Sequence, residues 1–290
     1  MLEYSPLVMA DLIPTRSTDL LQTTLKLYWF APPVALWRAV EARAVARQEF
    51  CAPMLDLGCG DGRFAATVFD AGHAITTGCD LSLTHLITAR KAGIYQTAVL
   101  ADGHRLPHAT GAFATVLCNS VLEHIPDPLP VLQEVARVLC VEGRLVVTVP
   151  SDRFHGYLAT SRKHRATGQL GLAAAYDAAV DQQLQHYHYH TPNEWARLFQ
   201  AVGLELVHEA YYMAPTAAAA WDRMNRRYGI GRRSLFSVLV SPRMRRFGYQ
   251  RLVARRLPHM LDRRLRPFYE MDLSPGEAGA GLLLVAKKVA

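Results

Sequence analysis

Residues 54–65, MLDLGCGDGRFA, carry a β-rich segment straight into a glycine turn and on into a helix. This junction constrains the fold more than any other stretch of the chain. Gly58, Gly60 and Gly62 remove the β-carbons that would hold a ligand off the backbone, and the helix behind them offers unpaired N–H groups. A turn of this kind belongs at the carboxyl edge of a parallel sheet, where ligands bind. The flanking sequence agrees, because from about residue 53 to 150 short β-rich runs alternate with helical patterns, as βαβ units do. The runs are APMLDLG (52–58), AITTGCD (74–80), TAVLAD (97–102), FATVLCN (113–119) and GRLVVTVP (143–150). Helices are expected over 63–71, over 83–91 with Ser82 as N-cap, and over 130–139. LELVHEAYYM (204–213) and AGLLLVAKK (280–288) bring the strands to seven. Thr191, Pro192 and Glu194 supply a start signal for a helix over 192–202, and Gly203 ends it.

The turn departs from the dinucleotide fingerprint. Arg63 stands where GxGxxG needs its third glycine, and the acid Asp61 lies inside the turn. An extra carboxylate suits a pyrophosphate badly and a cationic cofactor better. Asp80 follows Gly58 by 22 residues at the end of the second run, where a carboxylate can accept both hydroxyls of a ribose. Asp102 ends the third run.

At DLGCGDGRF, the acid of GCDLS, ADGHRLP, FATVLCNSVLEHIPDP and EVARVLCVEGRLVVTVP, the chain resembles the class I S-adenosylmethionine-dependent methyltransferases. It is most similar to the group typified by the ubiquinone and menaquinone C-methyltransferases and many small-molecule O-methyltransferases. The resemblance covers roughly residues 50–213 and the last strand. It implies an α/β, Rossmann-like, doubly wound sheet of seven mostly parallel strands with the last antiparallel. It further implies that Asp56 and the Gly58–Cys59–Gly60–Asp61–Gly62 turn hold the methionine portion of S-adenosylmethionine, and that Asp80, followed by Leu81, binds the ribose. Asp102 with Gly103 then meets the adenine, and Asn119 lines the methionine or the reacting face. The usual proline-glycine before the fifth strand reads Val141, Glu142, Gly143 here.

Methyl transfer from a sulfonium is an in-line displacement, so alignment of the reactants supplies much of the rate. A hydroxyl acceptor gains from a base of near-neutral pKa, for which histidine is the natural choice. The candidates are His124, after the fourth strand, and His186, His188 and His190 in HYHYH (186–190). His124 reads equally as a loop residue packed on the cofactor. If HYHYH is extended, its histidines share one face with neighbours about 6.6–7 Å apart. Base, substrate contact, metal ligand and plain packing all suit that stretch. A metal would need a third strong ligand that the stretch does not name, so no metal site is assigned. Tyr28, Trp29, Phe30 and Trp37 read either as an aromatic lid or as buried helix residues.

The net charge of +7 is concentrated: Trp221–Arg266 holds fourteen arginines against Asp222 and Asp262, an excess of +12, which leaves about −5 for the rest (+7 − 12). This arginine-rich segment (222–266) is readable as a helical cap, an anion clamp or a helix resting on acidic lipid, and peripheral membrane contact stays open. Nucleic acid is disfavoured, since no reading module accompanies the arginines. Five scattered cysteines without CxxC spacing, no basic-then-apolar leader and no long apolar window point to free thiols and a cytoplasmic protein, peripheral to the membrane at most. The expected division is an N-terminal helical cap (1–50), a methyltransferase core (51–215 and 280–290) and a basic helical insertion (216–279). The expected activity is methyl transfer to a small organic or lipid-linked acceptor, on oxygen before carbon or nitrogen; a non-catalytic S-adenosylmethionine-binding protein is the alternative. The oligomeric state is not legible.

Overall fold

A computed structural model describes residues 12–16, 19–70, 75–228, 250–274 and 276–289. Seven strands form one sheet: β1 Met54–Leu57, β2 Ile75–Asp80, β3 Tyr95–Leu100, β4 Phe113–Asn119, β5 Leu139–Pro150, β6 Leu204–Tyr212 and β7 Gly281–Lys288. Their order is β3-β2-β1-β4-β5-β7-β6, and β7 runs antiparallel to both of its neighbours while the others are parallel. The order reverses between β1 and β4, which opens a crevice at their carboxyl ends. Every residue of β4 is buried, as a central strand covered on both faces should be. The edge strand β3 is partly exposed.

One face of the sheet is covered by α1 (Leu20–Leu27), α2 (Pro32–Val45), α3 (Arg63–Val68), α10 (Pro215–Tyr228) and α11 (Gln250–Tyr269), whose apolar residues join a single core with Met54, Leu117, Val146 and Val285. The opposite face packs Leu55, Val116 and Val147 against α5 (Leu129–Val138) and α9 (Pro192–Gln200). Remaining helices are α4 (Leu83–Ala92), α6 (Phe154–Tyr157), α7 (Ala159–Ala166) and α8 (Leu170–Leu184). The α9 start is a complete capping box: Glu194 N–H donates to Thr191 Oγ1 (3.3 Å), and Thr191 N–H donates to Glu194 Oε2 (2.7 Å). Trp195 and Phe199, four residues apart on α9, are both buried.

Several sequence boundaries move. β3 begins at Tyr95, two residues before the expected run, so Asp102 lies past the strand in a turn. β5 starts at Leu139, where Glu142 takes φ +67 in place of the expected turn. The helices α6 to α8 between β5 and β6 were not foreseen. The alanine run 217–220 is buried along α10, which packs against α2, α6 and α7. In the arginine-rich segment, residues 229–249 lie outside the described residues. Leu265 and Tyr269 of α11 are buried against α1, α2 and α10. No helix among the described residues is long and apolar enough to cross a membrane.

Candidate active site

The crevice at the strand-order reversal is a cavity of about 410 Å³. Gly58, Gly60, Asp80, Leu81, Asp102 and Gly103 line it, as do Ser120 and His124 from the end of β4. Gly58 adopts φ +72 and Val121 presses on it so closely that a β-carbon there would lie 2.3 Å from Val121 Cγ2. Only glycine satisfies both demands. An added β-carbon at Gly60, by contrast, meets nothing within 4 Å, so the backbone of the turn faces open space.

Asp80 organises that space. Its Oδ2 accepts from Gly60 N–H (2.9 Å) and its Oδ1 from Ser82 N–H (2.8 Å). Each carboxylate oxygen keeps lone-pair capacity after one bond, enough for vicinal hydroxyls. Leu81 beside it is 72% exposed and offers an apolar surface for a planar base. Asp102 accepts from His104 N–H (2.9 Å) and lies 2.6 Å from His104 Nδ1, and these bonds lower its pKa.

Other expected cofactor residues do not line this cavity. Asp56 is buried and accepts from Tyr95 O–H (2.6 Å); burial pushes its carboxyl up to about 7. Cys59 is buried, with its thiol pushed up by burial. Asp61 pairs with Arg63 (3.1 Å), and Gly62 is the left-handed N-cap of α3. Asn119 is buried, its Oδ1 2.8 Å from Thr148 Oγ1. The Asp56 shift yields a prediction. Between pH 4 and 7 the unfolded carboxyl is ionised while the folded one holds its proton, so stability falls as pH rises, by at most about 1.4 kcal/mol per unit. Asp56→Asn keeps an acceptor for Tyr95 and is expected to flatten that slope in urea unfolding at pH 5, 6 and 7.

A second cavity of about 190 Å³ shares Ser120 and His124 with the first. Trp37, Phe154 and Trp221 wall it, their ring centroids 5.6–5.8 Å apart, and Arg38, Glu123 and His186 add polar atoms. Of the N-terminal aromatics, Trp37 thus faces this chamber and does not cover the cofactor crevice. Ser120 stands at the junction with φ 51, a conformation costly for a non-glycine residue and found at functional sites. It is locked there: Ser120 N–H donates to Thr148 O (3.0 Å) and Ser120 O–H to Glu41 Oε1 (2.6 Å).

Glu41, on α2, was not singled out by sequence and is fully buried. Its carboxylate also accepts from Arg38 (2.6 Å), Thr148 O–H (3.0 Å) and Tyr212 O–H (3.2 Å). It thereby ties α2 to β5, β6 and the end of β4.

The histidines divide. His124 Nδ1 lies 3.0 Å from Gln185 O, and His186 Nδ1 lies 3.1 Å from Tyr189 Oη; the two rings are 5.2 Å apart. Burial lowers the pKa of both, that of His186 to about 4 with help from its neighbour His124. Both are therefore neutral at pH 7. His188 instead bonds Ile125 O (2.7 Å) and stacks on His190, which packs edge-on against Trp195. Neither lines the two cavities. The expected shared face of HYHYH holds only in part: His188 and His190 stack together, while His186 lies against Tyr189, which itself stacks on Phe154.

Residues 55–147 match the model of a methyltransferase domain. That stretch runs from β1 into β5 and contains the strand-order reversal that opens the crevice. Among curated relatives, a ubiquinone biosynthesis O-methyltransferase of Haemophilus ducreyi is 33% identical over 36% of this chain and 48% of its own length. A malonyl-[acyl-carrier protein] O-methyltransferase of Legionella pneumophila is 27% identical over 60% of this chain and 68% of its own. The chain spans about half the length of most of these first relatives. A solved Thermotoga maritima structure, a S-adenosylmethionine-dependent methyltransferase described as a possible histamine N-methyltransferase, shares the fold at TM-score 0.52 and 15% identity, over 92% of this chain and 99% of that one.

Proposed function

We propose that this chain is a methyltransferase that moves a methyl group from S-adenosylmethionine to a hydroxyl oxygen of a small organic or lipid-linked acceptor. The observation that carries the reading is the pair of cavities meeting at Ser120 and His124. The larger one fits the cofactor: Asp80 would take the ribose hydroxyls, Leu81 and Asp102 the adenine side, and the open turn at Gly58 and Gly60 the amino-acid end. When bound, the cofactor supplies an electrophilic methyl carbon. The smaller cavity, with three aromatic walls, suits an apolar acceptor body.

The chain's own residues handle alignment and the proton. Gln185 O can only accept, so His124 Nδ1 carries hydrogen and its Nε2 lone pair is free. Tyr189 gives its hydroxyl proton to Asp181, so His186 Nδ1 donates to Tyr189 and its Nε2 is likewise free. Two neutral imidazoles at the junction can take up an acceptor's hydroxyl proton, directly or through what they bind. The named O-methyltransferase relatives favour oxygen over carbon or nitrogen.

The test is calorimetric titration with S-adenosylmethionine and S-adenosylhomocysteine, followed by turnover against phenols, catechols and hydroxy acids. Binding of neither cofactor form would overturn the reading. With a turned-over hydroxyl acceptor, His124→Ala is expected to lower kcat by roughly 10²–10⁴-fold, the range for lost general-base help, while His188→Ala leaves it within a few-fold.

A further inference from the structure

Glu123, His124 and His186 present one ligand atom each, all within 4.8 Å of one another. The stretch HYHYH lacked a third strong ligand; the end of β4 brings Glu123 and His124 to His186. Glu123 is buried and its Oε2 has no hydrogen-bond partner among the described residues. A buried polar atom without a partner is costly and points to a missing ligand. His124 Nε2 lies 3.9 Å from Glu123 Oε1.

The surroundings resemble the outer shell of a metal centre. Ligating histidines nearly always donate their second ring N–H to a carbonyl, carboxylate or comparable acceptor, which fixes the tautomer. His124 does so to Gln185 O (3.0 Å). His186 does so to Tyr189 (3.1 Å), whose hydroxyl is held by Asp181, and Asp181 in turn lies 2.8 Å from His155 Nε2. The nearby Arg38 cation is already matched by Glu41 (2.6 Å), so it does not oppose a second cation alone. The second cavity reaches all three ligands and leaves room for a further one.

We propose that Glu123, His124 and His186 bind one divalent first-row transition ion of the zinc class at the floor of the second cavity. Two imidazoles and one carboxylate select such an ion over magnesium or calcium, which take oxygen ligands. Zinc bonds of about 2.0–2.2 Å require the three ligands to close in slightly, which side-chain rotation supplies. The ion does not depend on the methyl-transfer reading. Where that reading also holds, the ion occupies the two Nε2 lone pairs, so a hydroxyl that coordinates it loses its proton because the ion lowers its pKa and not to a free imidazole.

The experiment uses the full, untagged chain, stripped with a chelator and titrated calorimetrically with Zn²⁺, with Co²⁺ absorption as a second readout. One equivalent of Zn²⁺ is expected, together with visible Co²⁺ bands. His186→Ala and Glu123→Gln should each weaken the site by about 100-fold or more and abolish the bands, since even losing an outer-shell partner costs 10–100-fold. Tyr189→Phe should weaken it about 10-fold, while His188→Ala leaves it unchanged. Glu123→Gln keeps the side-chain shape, so it carries the test if His186→Ala does not fold. Absence of a saturable site, a site that survives both ligand variants, or equal competition by Mg²⁺ would each overturn the proposal. Failure of cofactor binding would leave these metal readouts intact, so the two readings fail separately.

Discussion

Glu41→Gln is expected to lower stability by about 3 kcal/mol, measured by urea unfolding at pH 7 with an unchanged slope. The variant keeps the shape of the side chain and an oxygen for the hydroxyls of Ser120, Thr148 and Tyr212. It removes the charge and sets an amide N–H group, a donor, against Arg38. Arg38 then stands without its counter-ion, and breaking a buried pair from one side costs about 3–5 kcal/mol. The low end applies because the Arg38 side chain retains 30% exposure while that of Glu41 has none. Glu41→Ala should cost more, since three hydroxyls also lose their acceptor. Removing both charges in Arg38→Met/Glu41→Leu should recover part of the loss, because apolar replacements of buried pairs are often tolerated. A Glu41→Gln protein within 0.5 kcal/mol of the parent, an order-of-magnitude bound on harmless surface changes, would show that the carboxylate is not what joins α2 to the sheet.

Glu41 also marks where the sequence ceased to be readable. In PPVALWRAVEARAV a glutamate three residues after an arginine reads as a solvated helical pair. Its burial depends on Ser120, Thr148 and Tyr212, which lie 79 to 171 residues away and carry no local signal. The glycine turn was legible because backbone shape leaves a residue signature: Gly58 must be glycine where Val121 closes on it. Asp80 was legible because the acid stands at a strand end, a position that chain order fixes. The split of HYHYH was not, since His188 and His190 share a face as a two-residue period predicts while His186 turns to Tyr189 and His124. His186 thereby lines the cavity, while His188 bonds Ile125 O. Ser120 gave no warning, because a strained serine looks like any other in a sequence.

Asp80→Asn is expected to weaken S-adenosylhomocysteine binding by about 100-fold, read by calorimetry. Two bonds from ribose hydroxyls to a charged carboxylate, at roughly 1.5 kcal/mol each, amount to about 3 kcal/mol. The substitution also touches the protein itself, because Asp80 accepts from Gly60 and Ser82 N–H groups and an amide can serve only one of them well. A loss of affinity could thus follow from a loosened turn. Ser82→Ala separates the two effects. It removes the N-cap bond from His85 N–H (3.3 Å) and should cost about 1 kcal/mol of stability, disturbing the same turn while leaving the Asp80 carboxylate in place. If the carboxylate itself meets the ribose, Ser82→Ala binds within a few-fold of the parent and Asp80→Asn does not. Equal losses in the two variants would assign the effect to the turn and remove Asp80 from the ribose site.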